Sequence, residues 1–202
     1  MKIAVRPGHR SDIRGLSAVL SEAFDDDPVV TWLYPDDKKR QVRLPRFFAA
    51  QTRYHHLAGG GVEVAEGNHG TIGGASLWDP PGRWKQSRRS TWSMAPAMIR
   101  AMPEHPQAGK DLVAALYAAH PAEPHWYLAT IGTTSAVRGQ GYGQALLASR
   151  LERLDREHSP AYLESSKASN IPYYERFGFE VTGEIAVRGG GPTLYAMWRD
   201  PR

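Results

Sequence analysis

The 202-residue chain contains no cysteine. Disulfides, thiolate metal sites and a cysteine nucleophile are therefore excluded, so any group transfer runs directly between bound substrates or through another nucleophile. Nowhere does the chain approach the ~18 consecutive apolar residues that a membrane span needs. The opening "MKIAVRPGHRSDI" does not read as a signal peptide, because Arg6 and His9 interrupt any apolar run. A soluble, cytoplasmic protein with no membrane partner is expected. Strong charge is lacking too: the formal net charge is +4, with the densest basic stretches at "DDKKRQVRLPR" (36–46) and "RWKQSRR" (83–89). Basic segments near tryptophan raise the question of nucleic acid. The dispersed charge instead points to a solvated helix face and a loop, so no nucleic-acid partner is expected. A phosphate-bearing small ligand suits a modest positive charge. His55, His56, His69, His105, His120, His125 and His158 show no metal-ligand spacing backed by carboxylates, so no metal is expected.

What is present is enough apolar residue, 41% of the chain, to bury one sizeable core. "KIAVRP" (2–7) reads as a first strand, and Ser11 as the N-cap of a helix whose apolar face is Ile13, Leu16, Leu20 and Ala23. "DDDP" (25–28) ends that helix. Residues 37–57 predict a second helix, with Val42, Phe47, Phe48 and Leu57 as anchors and Pro45 breaking or kinking it. "VEVAE" (62–66) and "TIGGASLW" (71–78) flank a Gly/Asn turn and predict a hairpin. Residues 83–120 read as a helical insertion. "HWYLATIGT" (125–133) and "AYLESS" (161–166) are strands, with a helix carrying Leu147, Leu151 and Leu154 between them. "NIPYYERFGF" (170–179) is a short helix that stops at Gly178, and "FEVTGEIAV" and "TLYAMW" close the chain as a hairpin. Strands alternating with helices, with hairpins on either side, predict one mixed α/β domain over residues 1–202.

"VRGQGYGQALL" (137–147) carries the strongest chemical signal. Closely spaced glycines between a buried strand and an amphipathic helix let backbone N–H groups approach a bulky anion, and the helix start adds its positive dipole end. Gly143 is followed by Gln144 and Ala145 rather than Lys-Ser/Thr, which rules out a Walker loop. The spacing Gly139, Gly141, Gly143 also fails the dinucleotide pattern. What remains is Arg-x-x-Gly-x-Gly, at Arg138, Gly141 and Gly143. The bland alternative is a tight strand-to-helix turn that binds nothing.

Together with "YLESS" and "NIPYYERFGF", the segments "WYLATIGT" and "RGQGYG" resemble the GNAT superfamily of N-acetyltransferases, and most of all its puromycin N-acetyltransferase-like members. The resemblance is strong over 125–185, weaker over 1–35 and 71–82, and loose between 83 and 120. It implies the GNAT fold: a central mixed, mostly antiparallel sheet with splayed strands, flanked by helices. It further implies acetyl-CoA as co-substrate. The backbone of Ile131, Gly132 and Thr133 would pair with pantetheine, and Arg138, Gly139, Gln140, Gly141, Tyr142, Gly143 and Gln144 would hold the pyrophosphate. "TTSAV" (133–137) departs from the acidic residue and proline usual before this loop.

Asn170 matches the position that hydrogen-bonds the pantetheine arm, although a helix N-cap is an equally ordinary use of it. Tyr174 matches the tyrosine that protonates the departing thiolate, and is preferred to Tyr173 because it heads the "YERFGF" match. Glu164, mid-strand in "YLESS", is the first candidate for the base that frees the acceptor amine of its proton; the competing use is a structural carboxylate. Asp25, Asp26 and Asp27 border the acceptor site in the family, and Trp78 would stack on an aromatic or sugar-like acceptor. The expected reaction is direct acetyl transfer to a primary amine of a small molecule, an aminonucleoside or other antibiotic among them, by a monomer or homodimer. The alternatives are a protein lysine or N-terminal acceptor, or a non-catalytic acyl-CoA sensor.

Overall fold

The computed structural model describes residues 3–68 and 70–202, the side chains of Arg88 and Arg89 excepted. Lys2 of the first expected strand, His69 of the expected turn and those two arginine side chains of the 83–89 stretch lie outside the described residues.

Seven strands form one sheet: β1 (Ala4–Pro7), β2 (Val62–Glu66), β3 (Ile72–Asp79), β4 (Trp126–Thr133), β5 (Ala161–Ser165), β6 (Glu180–Ala186) and β7 (Thr193–Arg199). Their order is β1-β2-β3-β4-β5-β7-β6. Every neighbouring pair is antiparallel except β4 and β5. A parallel pair needs a crossover, and the helix starting after the glycine segment, α6 (Tyr142–Arg156), supplies it.

The other helices preceding β4 are α1 (Ile13–Ala23), α2 (Pro28–Leu33), α3 (Asp37–Tyr54), α4 (Arg88–Ala101) and α5 (Pro106–Ala119); α7 (Ile171–Glu175) follows β5. Side chains alternate across a strand, so each strand feeds two cores. On one face Leu16 and Leu20 of α1 and Leu44 and Phe48 of α3 meet Val62, Val64, Ala75 and Leu77. On the other, Leu147, Leu151 and Leu154 of α6 meet Trp78, Trp126, Leu128 and Leu163. Each such leucine, fully buried, contributes roughly 1.5–3 kcal/mol.

The helical insertion follows β3 as expected, and α5 covers the β5–β7 end of the first face. There Leu112 and Leu116 pack against Tyr162, Ile185 and Leu194. Three local expectations need correction. Pro45 does not break α3, which runs through it with Leu44 and Phe48 buried on either side; the packing offsets the hydrogen bond that proline cannot donate. Ser11 is not the cap of α1: a short 3₁₀ turn over Arg10–Asp12 precedes it, and Asp12 accepts the His9 N–H at 2.8 Å. The "DDDP" segment not only ends α1 but starts α2, with Asp27 as its N-cap.

Candidate active site

β4 and β5 pair only from Trp126–Ala161 to Leu128–Leu163. Beyond that they diverge, which is the expected splay. β4 also carries a bulge: Trp78 faces Leu128 while Leu77 faces Thr130, leaving Ala129 as the extra residue. Past Leu128 the β5-facing backbone groups of β4 therefore have no strand partner. A cavity of about 180 Å³ opens in the gap, lined by β4 from Leu128 to Thr133, by Glu164, and by Asn170 and Tyr174 of the segment after β5. The remaining lining includes Asp27, Arg138, Ser166 and Lys167.

The three glycines of the 137–147 segment have different uses. Gly139 (φ +77°) and Gly141 (φ +91°) occupy the left-handed region that turns the chain from strand to helix. Gly143 sits in the first turn of α6, where a Cβ would stand 3.0 Å from the Tyr173 hydroxyl. The first α6 bond runs from Ala145 N–H to the Gly141 carbonyl at 2.9 Å, and no side chain caps the helix. The N–H groups of Tyr142, Gly143 and Gln144 are thus left by the helix for another acceptor. Arg138 reaches the cavity, whereas Gly139, Gln140 and Gln144 are exposed and lie outside its lining. The side chain of Tyr142 has a core role. It is buried with Ala65 and Leu146 under β2 and β3, against Gly73, where a Cβ would meet its ring at 2.6 Å. The unusual "TTSAV" turn is held from α1: Glu22 accepts the Ser135 N–H at 2.7 Å and its hydroxyl at 2.6 Å.

The wall of the cavity takes Tyr174 and not Tyr173. Tyr174 packs edge-on to Phe179, and burial pushes its phenol well above the ordinary tyrosine range, so it carries its proton. Asn170 begins α7 but makes no side-chain cap bond, which leaves its amide free at the cavity. Ile131 turns its side chain into the α6 core while its backbone lines the gap. Gly132 permits a close approach of a different kind: a Cβ there would stand 2.5 Å from that of Ala23 in α1. Glu164 faces the cavity with a side chain 4% exposed, and its Oε1 has no hydrogen-bond partner among the described residues.

The acidic trio does not act as a unit. Asp25 pairs with Arg40 at 3.0 Å, and Asp26 pairs with Lys167 at 2.8 Å, which holds the Asp26 carboxyl below its ordinary range. Neither lines the cavity. Asp27 does, but it is buried and occupied: Oδ1 caps α2 by accepting the N–H groups of Val29 and Val30, and Oδ2 accepts the Ser166 hydroxyl. Trp78 is a plain correction. It is fully buried on the α6 face with the Arg150 guanidinium 6.0 Å from its ring, because the strand period turns it away from the cavity.

Sequence reasoning missed Ser166 and Lys167, for which the polar run after "YLE" is the only signal. It also missed what the fold does with histidine. His55 and His56 meet Asp79, Oδ1 lying 3.1 and 2.9 Å from their ring nitrogens, so a carboxylate backs two histidines despite the lack of sequence spacing. Their candidate ligand atoms lie within 4.8 Å of one another. The two histidine bonds on Asp79 Oδ1 already satisfy this oxygen and keep its carboxyl low against the effect of burial.

Comparison with known proteins agrees with this geometry. A family model described as the acetyltransferase (GNAT) family matches residues 21–179. An uncharacterized N-acetyltransferase of Schizosaccharomyces pombe is 30% identical over 189 residues, spanning 88% of this chain and 74% of that relative. A solved Corynebacterium glutamicum structure, described as histone acetyltransferase HPA2 and related acetyltransferase, has a TM-score of 0.75 and 28% identity, with 100% of this chain and 98% of that one covered. Arylalkylamine N-acetyltransferase 2 of Aedes aegypti shares the fold at a TM-score of 0.61 and 13% identity, with both chains covered at 100%. Spread across the sheet, the glycine turn and α7, the match covers every element around the cavity, and the chain belongs to the GNAT family of acetyltransferases.

Proposed function

We infer that the protein transfers acetyl from acetyl-CoA directly to the primary amine of a small molecule, within a ternary complex. The observation that carries this reading is the cavity between β4 and β5, which has Tyr174 and Glu164 on its walls. The unpaired β4 edge suits the amides of pantetheine, with Asn170 reaching the same arm. The free N–H groups at the start of α6, with Arg138, suit the pyrophosphate.

Each wall then has a task. An alkylammonium must lose a proton before it can attack, and the Glu164 carboxylate accepts it. A backbone N–H of the unpaired β4 edge stabilises the charge growing on the thioester oxygen. Tyr174 gives its phenolic proton to the departing sulfur. Overall the ammonium releases two protons: one ends on the CoA sulfur and one leaves by Glu164. The absence of cysteine in the chain fits direct transfer.

A small acceptor is favoured by the modest cavity volume, about 180 Å³. The carboxylates Asp27 and Glu164 suit a cationic acceptor. The resemblance to puromycin N-acetyltransferase-like sequences puts an aminonucleoside first in the panel. The test is a thiol-release screen with puromycin, spermidine, aminoglycosides and lysine or N-terminal peptides. Saturable release with a small amine supports the reading; release with peptides alone makes the acceptor a protein; CoA binding without release for any amine makes the protein a sensor.

A further inference from the structure

Glu164 has a second neighbour on the side away from the cavity, contributed by the insertion. After α5 the segment "HPAEPHW" (120–126) folds back before β4, and the Nε2 atoms of His120 and His125 come within 3.0 Å. The other nitrogen of His125, Nδ1, lies 2.6 Å from the Glu123 carbonyl. A carbonyl only accepts, so His125 Nδ1 bears a hydrogen. Burial holds His125 below the ordinary histidine pKa, which keeps the ring neutral and leaves a lone pair on its Nε2. The bond between the two rings needs one donor, so His120 Nε2 bears the other hydrogen. In neutral His120, Nδ1 is then a bare lone pair. It lies 3.9 Å from Glu164 Oε1, and the two side chains are 1% and 4% exposed. A backbone carbonyl thus fixes, through two rings, the tautomer of the imidazole beside the free carboxylate oxygen.

We propose that His120 is the relay partner of Glu164, receiving on Nδ1 the proton that Glu164 takes from the acceptor ammonium. The step rests on the acetyltransfer reading above. The ammonium N–H bond breaks and a Glu164 O–H bond forms. That proton then moves to His120 Nδ1, restoring the carboxylate beside a new imidazolium. Between turnovers the proton returns to solvent by way of Glu164 and the opened cavity. The surroundings suit an imidazolium that is held briefly. Trp84 stacks on the His120 ring at 3.6 Å, and Tyr127 of β4 and Tyr162 of β5 stand edge-on at 5.1 and 5.2 Å. Burial and the Glu164 carboxylate keep both phenols protonated. Tyr117 of α5 and Lys85 lie behind Trp84, the lysine 4.9 Å from its ring, and Trp198 of β7 faces His125 at 5.4 Å. Glu164 is the only one of these groups whose charge favours a cation on His120 and Lys85 the one that opposes it.

Two measurements on the full chain decide the matter. In long-range ¹⁵N–¹H spectra at neutral pH, His125 should be the Nδ1–H tautomer and His120 the Nε2–H tautomer. An Nδ1–H tautomer at His120 overturns the relay and leaves the acetyltransfer reading intact. With the panel amine of highest turnover, His120→Asn should lower kcat/KM about 10-fold or more at pH 7, with the KM for acetyl-CoA unchanged. The deficit should close as pH rises toward the amine's own pKa, because solvent then removes the proton. A loss that is constant with pH, in both His120→Asn and His120→Gln, marks a packing role and overturns the relay. No turnover by the wild-type protein with any amine sinks the acetyltransfer reading instead, and the tautomers still judge the pair.

Discussion

The two ends of the cavity are made of different material. At the end we assign to the donor the groups are chiefly backbone: the unpaired edge of β4, which lines the cavity, and the N–H groups that the start of α6 leaves open, all from one stretch of chain between Leu128 and Gln144. At the acceptor end they are side chains from distant places: Asp27 at the head of α2, Glu164 on β5, and His120 behind it from the insertion. A site made of backbone constrains which residues can sit there, because glycine is needed wherever φ is positive or a neighbour is close. A site made of side chains leaves the surrounding sequence almost free. The donor end is accordingly a local motif, and the acceptor end exists only once the chain has folded.

The largest test of that contrast is Gly141→Glu. The residue sits at φ +91°, where a side chain is strained, and a carboxylate there repels a pyrophosphate. Acetyl-CoA affinity should fall more than about 100-fold by calorimetry, which corresponds to about 2.7 kcal/mol. Unchanged affinity with a native melting curve would mean that the glycine turn serves only the chain. At the junction of the two ends, Tyr174→Phe should lower kcat about 10- to 100-fold while affinity for CoA stays within about twofold. Equal loss of both would make the tyrosine a packing residue, in keeping with its contact to Phe179.

Asp27→Ala probes whether the acceptor end doubles as structure. Its carboxylate caps α2 and also receives Ser166, so stability should drop by about 1–2 kcal/mol in a denaturant melt. Turnover per folded molecule should fall less than for Tyr174→Phe. Activity lost wholesale from a fully folded variant would move Asp27 from scaffold to acceptor contact.

The same contrast explains what was legible beforehand. The splay, the glycine turn and Tyr174 follow from short contiguous motifs, and the strand and helix pattern follows from apolar spacing. Trp78 misled because its place at the end of a strand says nothing about which face it takes; the bulge and the two-residue period turn it into the α6 core. Asp25, Asp26 and Asp27 read as one acidic patch but separate into an Arg40 pair, a Lys167 pair and a helix cap. His55 and His56 stand far in sequence from Asp79, and His120 from Glu164, so no linear spacing could bring either pair forward. Pro45 shows the same limit within one helix, where burial of its neighbours outweighs local propensity.

The smallest predicted effect tests a side chain at the backbone-made end. Asn170 stands where α7 begins and looks in sequence like its cap, yet it makes no cap hydrogen bond and its amide lines the cavity. Asn170→Ala should therefore leave the melting temperature nearly unchanged, since no cap is lost. One neutral hydrogen bond to the pantetheine arm is worth about 0.5–1.5 kcal/mol, so the KM for acetyl-CoA should rise roughly two- to tenfold with kcat little altered. A fall in stability without a change in KM would make Asn170 a cap after all. The pantetheine part of the donor end would then be held by backbone alone, and the contrast between the two ends would be sharper.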